Sequence, residues 1–487
     1  MNHIKSLGSQ TVVYGLSSIV SRFLNYLLTP LYTYIFMPSA YGDVTILYAY
    51  VTFLNIILTY GMETGFFFYA KQEKNFSKVY GSAFLSILST TILFVLFSFL
   101  FLHKITGFLQ YGHKENYIVW FILILAVDSL TAIPFAKLRQ QNKAFKFALL
   151  KLLNVLITIV FNILLLWIIP HFFLTDGRFL GIPYRVDIVL IFIANFIGSL
   201  FTLILLLPDL FTEKVSFSFS LWKKLFQYSY PLLFVGLIGT INETLDRILL
   251  QKYLPASVNS MAEIGIYGAC VKIAVIMTLF TQMFRFAAEP FFFNRGKSED
   301  QKLILADVSK YFILYGLIIF LAVMAYIDIF KYFVGPEFRD GLKIVAVYLL
   351  GSLGLGIYFN LSFWYKLNGK TYFGILISGI GALITIFLNI LLIPKFSYVA
   401  SAWVRLICYL VVIIISFLLG QKYYPINYPV KAIFKYVFIT LVLFFVCHWL
   451  KFSNITLDLI KNTLIFVSFL IYLEKEEHIV TVFIRKE

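Results

Sequence analysis

Charge is scarce in this chain. Asp, Glu, Lys and Arg make up only 13% of its 487 residues, whereas 61% are hydrophobic and mean hydropathy is +0.88. A water-soluble fold of this length has no means of hiding so much apolar surface. Cysteine is nearly absent: Cys270, Cys408 and Cys447 lie far apart inside apolar runs, which excludes a disulfide framework or a Cys-based metal motif. The six His are scattered just as widely, so no zinc spacing and no nucleophile–base pair emerges. "NRGKS" and "LNGKT" look like phosphate loops, but that motif needs a Gly five residues before its GK, where Phe291 and Trp364 stand. The N-terminal "MNHIKSLGSQTVVYGLSS" has no signal-peptide core and enters the first apolar run directly.

What fills the chain is a series of apolar windows about 20 residues long, each long enough to cross a bilayer. They fall at 10–36, 42–69, 79–102, 116–138, 145–169, 187–208, 229–251, 264–292, 303–327, 340–365, 371–393, 398–419, 432–450 and 455–473. The expected fold is an all-α polytopic membrane protein with about fourteen spans. The net charge of +16 is dealt out in short connectors between these spans. Roughly 23 Lys/Arg fall on the side carrying both termini and about 10 on the other, which argues for cytoplasmic termini and against nucleic-acid binding. No connector has room for a soluble catalytic domain.

The sequence also repeats. "ITIVFNILLLWIIP" at 157–170 recurs as "ITIFLNILLIP" at 384–394, a shift of 227 that also sets Arg139 on Lys366 and Asn162 on Asn389. A shift of 226 sets Tyr41-Gly42 on Tyr267-Gly268 and Glu63 on Glu289. Six spans separate the copies, so the halves share one orientation. This is a parallel repeat, as in transporters. The expected division is a six-helix lobe at 1–210, a second at 211–425, and two further spans with a tail at 426–487.

Ionisable groups within spans should face a cavity or one another. Arg22 lies mid-span with Ser18, Asn25, Tyr26 and Thr29 on its face. Glu63 ends a stripe with Thr52, Asn55 and Thr59. Span seven carries Glu243, Asp246 and Arg247, and span eight carries Lys272, Arg285 and Glu289. Candidate anion-binding groups are Arg22, Arg247, Lys272 and Arg285. Candidate gating or ion-coupling groups are Glu63, Asp128, Glu243, Asp246 and Glu289. Each also has a plainer reading. Glu63 can cap Lys71 and Lys74, the i, i+4 pairs Glu243–Arg247 and Arg285–Glu289 can neutralise themselves, and Asp128 can pair with Arg22 or hold a cation. Lys151 and Lys310 read as interfacial cations, and Asn162 and Asn389 as interhelical hydrogen-bonders.

"SRFLNYLLTPLYTYIFMPSAYGDVTI", "AIPFAKLRQQNKAF" and "TLDRILLQKYLPASVNSMAEIGIYGACVKIA" resemble polysaccharide flippases of the multidrug/oligosaccharidyl-lipid/polysaccharide exporter superfamily. The resemblance covers essentially the whole chain. It implies a non-enzymatic inner-membrane protein that moves an undecaprenyl-pyrophosphate-linked oligosaccharide to the outer leaflet. O-antigen, capsule and exopolysaccharide units are the candidate cargoes, and membrane lipids and a glycan polymerase the expected partners. No cofactor is expected. Na+, H+ or the membrane potential would drive the step. Lipid II flippases, drug/cation antiporters and polyprenyl-linked glycan polymerases or glycosyltransferases are the alternatives. A span two with Glu63 and no Arg disfavours lipid II.

Overall fold

A computed structural model describes residues 2–478 except 74, 113, 212–214 and 295–298. The chain forms two compact units. One comprises Met1–Lys252 with Asn259–Gly265, and the other Tyr253–Val258 with Ile266–Glu487.

In the first unit the opening span is Asn2–Tyr26 followed by Leu28–Ile35. Pro30 has no N–H to give the preceding turn, and the helix breaks just before it. Span two is Pro38–Thr59 and Met62–Gln72, jointed at Tyr60 and Gly61, both with positive φ (33° and 73°). A β-carbon on Gly61 would lie 2.9 Å from the Ser229 carbonyl, so backbone angle and close packing both call for glycine. The joint leaves Glu63 in the first turn of a new helix, where the helix dipole favours a carboxylate. Spans three, four and six are Phe76–Leu100, Glu115–Gln140 and Val189–Phe211. Span five runs Ala144–Ile163 and continues as wide π-helical turns over Leu164–Phe173. Span seven is Phe219–Tyr253.

Span eight, Ser260–Asn294, leads into the second unit, where spans nine and ten are Glu299–Ala325 and Val345–Leu361. Spans eleven and twelve are two helices that adjoin within Tyr372–Tyr423, separated by a kink at Ser397, whose backbone is non-helical (φ 52°), three residues after Pro394. Val430–Trp449 and Ile455–Glu477 complete the set. Eleven of the described helices are long and apolar enough to cross a membrane. Counting the kinked pair as two and adding the first and seventh spans restores fourteen.

The asparagines of the repeat behave alike in each unit. Asn162 donates to the Thr158 carbonyl (2.7 Å) and accepts from Tyr32 (2.9 Å). Asn389 donates to the Thr385 carbonyl (2.7 Å) and accepts from Ser401 (2.8 Å). Each amide satisfies itself on its own helix and receives a hydroxyl from another segment, as read from the sequence.

Lys310, read as an interfacial cation, has a buried partner. Its ammonium meets Glu477 at 2.6 Å, both side chains are largely buried, and Tyr436 donates to the same carboxylate at 2.6 Å. One acid thus ties spans nine, thirteen and fourteen. Glu477→Gln leaves that ammonium without its counter-charge, and a loss of roughly 3 kcal/mol is expected. It should appear as a lower midpoint when the purified protein is heated and monitored by size-exclusion fluorescence. Lys310→Met with Glu477→Gln should recover most of it.

Candidate functional site

The first unit contains a partly open cavity of about 570 Å³. Spans one and two line it through Ser18, Asn25, Asn55, Thr59 and Glu63, which belong to their polar stripes, and through Tyr48, which does not; Arg22, Tyr26, Thr29 and Thr52 of those stripes are not in the lining. Spans four, five and six join them, through Asp128, Thr131 and Arg139, then Lys151, Asn154 and Thr158, then Asn195, Ser199 and Thr202. The last two sets are themselves stripes at i, i+3 and i, i+4 steps, a signal present in the sequence and passed over there.

Two carboxylates and two cations face this space. Arg139 binds Glu63 at 2.5 Å, and both side chains are about one-third exposed (33% and 38%), so water still reaches the pair. The Arg139 guanidinium lies over the ring of Phe67 at 4.9 Å. This partner differs from the Lys71 cap considered for Glu63, and Lys74 lies outside the described residues. The joint at Tyr60–Gly61 explains the difference: it presents Glu63 to the end of span four, 76 residues away in sequence. Deeper in, Lys151 stacks its ammonium 4.2 Å from the Phe135 ring. It lines the cavity and is not the interfacial cation read from sequence. Asp128, Ser199 and Lys151 line this same space. Arg22 is exposed, on the face of its helix whose Ser18 and Asn25 line the cavity.

Asp246 and Arg247 pair at 3.1 Å, both largely buried, and Arg247 also donates to the Glu243 carbonyl at 3.0 Å. The Glu243 side chain is exposed.

The second unit holds the counterpart of the Glu63 pair. Lys366 meets Glu289 at 2.9 Å, and Arg285 approaches the same carboxylate at 3.8 Å while lying over Phe359. Glu63 and Arg139 therefore map onto Glu289 and Lys366 as contacts as well as positions. In each unit an acid closing one span is bridged to a base closing another. Lys272 is half-buried in span eight. No group of three or more metal-binding side chains occurs among the described residues.

The sequence pattern of the family described as "Polysaccharide biosynthesis protein" matches residues 7–294, more than half the chain. The chain belongs to that family. No curated protein matches it by sequence. Among solved structures it is similar to the lipid II flippase MurJ in an inward closed conformation, at 17% identity and TM-score 0.71, over 96% of this chain and 99% of that one. It is also similar to an inward-facing multidrug resistance MATE family transporter of the MOP superfamily, at 12% identity and TM-score 0.63, over 88% and 99%. An outward-facing MATE structure matches at 14% identity and TM-score 0.55, over 85% and 95%. This polysaccharide biosynthesis protein thus has the multi-pass fold of known membrane transporters.

Proposed function

We propose that the protein is a flippase that carries an undecaprenyl-pyrophosphate-linked oligosaccharide from the cytoplasmic to the outer leaflet by alternating access, with both termini cytoplasmic. The cavity of the first unit is the observation that carries this reading. Its charges balance, two acids against two bases, and the rest of its polar lining is amide and hydroxyl. Such a surface suits sugar hydroxyls, which need many neutral donors and acceptors. The aromatic rings of Tyr48, Phe135 and Phe147 add flat apolar faces beside them.

The pyrophosphate needs cations held away from lipid, and Arg is suited to two-point contact with phosphate. Arg22, Arg247, Lys272 and Arg285 are the proposed contacts, and Arg139 joins them. A pyrophosphate carries more charge than one carboxylate and can compete with Glu63 for that guanidinium. Arrival of the cargo then loosens a tie between spans two and four. Glu289 and Lys366 form the corresponding tie in the second unit. An inside-negative potential favours outward movement of the anion by about 2.3 kcal/mol per charge per 100 mV.

The deciding experiment reconstitutes the purified protein with a fluorescent undecaprenyl-pyrophosphate oligosaccharide and follows its exposure to a membrane-impermeant glycosidase. Transbilayer movement above that of empty vesicles supports the reading. Movement of lipid II alone, drug efflux alone, or glycosyl transfer would each replace it.

Asp128 is the proposed coupling group, since its carboxylate lines the cavity among Thr131, Asn195 and Ser199. Asp128→Asn is expected to flatten the dependence of transport on pH or Na+ in these vesicles, leaving a rate set by the membrane potential. Unchanged dependence on both ions would remove Asp128 from that role.

A further inference from the structure

Between spans five and six the chain forms a small antiparallel hairpin, with Arg178 opposite Pro183 and Phe179 opposite Ile182. Leu180 and Gly181 close it, and both have positive φ (49° and 79°). Such two-residue turns favour Asn-Gly, because a β-carbon is strained at the first position. Here a leucine occupies it, and 85% of that leucine is exposed. Ile182 beside it is exposed too, as are Phe172 and Phe173 where span five ends. The hairpin is nonetheless well tied. The Tyr184 hydroxyl donates to the Leu165 carbonyl at 2.6 Å, and the Tyr184 N–H to the Gly177 carbonyl at 3.0 Å. A fixed loop that accepts strain in order to display an apolar tip points to a surface that covers it.

We propose that this hairpin seats Leu180 and Ile182 in the headgroup–acyl boundary of the leaflet at that end of span five, which is the outer leaflet in the topology proposed above. The hairpin continues directly from a membrane-crossing helix whose last turns expose Trp167, a residue suited to the interface. Exposed Arg178 and Arg185 flank the tip, and their guanidinium groups match lipid phosphates. Apolar side chains bordered by basic ones are the composition of segments that lie in a membrane surface. The inference does not depend on the cargo.

The three native cysteines are buried, so a thiol placed on the tip can be labelled selectively. Leu180→Cys and Ile182→Cys, each carrying a bimane, would be reconstituted in phosphatidylethanolamine/phosphatidylglycerol vesicles. Each should be quenched by lipids bearing a nitroxide near the carbonyl and protected from aqueous iodide. Leu180→Asn suits the turn better and keeps the hairpin folded, so it should weaken lipid quenching at the Ile182 label about threefold by removing one apolar anchor. Iodide quenching at both labels, or lipid quenching unaffected by Leu180→Asn, would overturn the proposal. Protection from both quenchers would also overturn it, and would assign the tip to a second copy of the chain.

Discussion

Reversing either charge of the Glu63–Arg139 pair is expected to lower glycan transport roughly tenfold, the effect of about 1.4 kcal/mol. Reversing both should restore most of it. The pair stands between the second half of span two and the end of span four, and its 2.5 Å contact fixes two segments that are not neighbours in sequence. Water reaches both side chains, so neither reversal should unfold the protein. The loss is one of conformational control, with two like charges pushing the helix ends apart. Surface glycan measured alongside membrane levels of each variant gives the readout. If the double reversal is no better than the worse single one, Arg139 acts on the cargo alone and the tie to Glu63 is incidental. Glu289→Lys with Lys366→Glu offers the same comparison in the second unit.

Loss of the Arg22 guanidinium should be more severe. Arg22→Ala is expected to reduce transport about a hundredfold, since a charge-assisted contact to phosphate contributes roughly 1.5–3 kcal/mol. Arg22→Lys should keep about a tenth of the activity, because the charge survives and the fork does not. Protein should remain in the membrane in both cases. Binding of undecaprenyl pyrophosphate to the purified variants, followed by intrinsic fluorescence, distinguishes lost recognition from lost movement. Normal affinity in Arg22→Ala would take Arg22 out of the binding site.

Much of this was open to reading. Span positions follow from apolar length, because lipid imposes one dimension on every crossing. The repeat was legible because polar residues inside apolar runs stand out, and its register set both members of the Glu63–Arg139 contact onto Glu289 and Lys366. That the members touch was not legible. The contacts close over 76 and 77 residues, and a single sequence carries no record of such pairings. The joint at Tyr60–Gly61 escaped for another reason: one glycine in an apolar run is common, and only its positive φ makes it a hinge. Lys151 reads as an interfacial cation when it is taken alone. Its spacing from Phe147, Asn154 and Thr158 is the better guide.

The tie at Glu477 has a consequence for how the protein is made. Lys310 leaves the ribosome 167 residues ahead of the carboxylate that neutralises it. At about 5–20 residues per second, that interval is roughly 8–33 s, during which span nine is already entering the membrane. For that time the ammonium must keep company with water or lipid phosphate. The tie between spans nine and fourteen therefore closes only after the last span has been made, and chains stalled before that point are the ones a membrane protease should find.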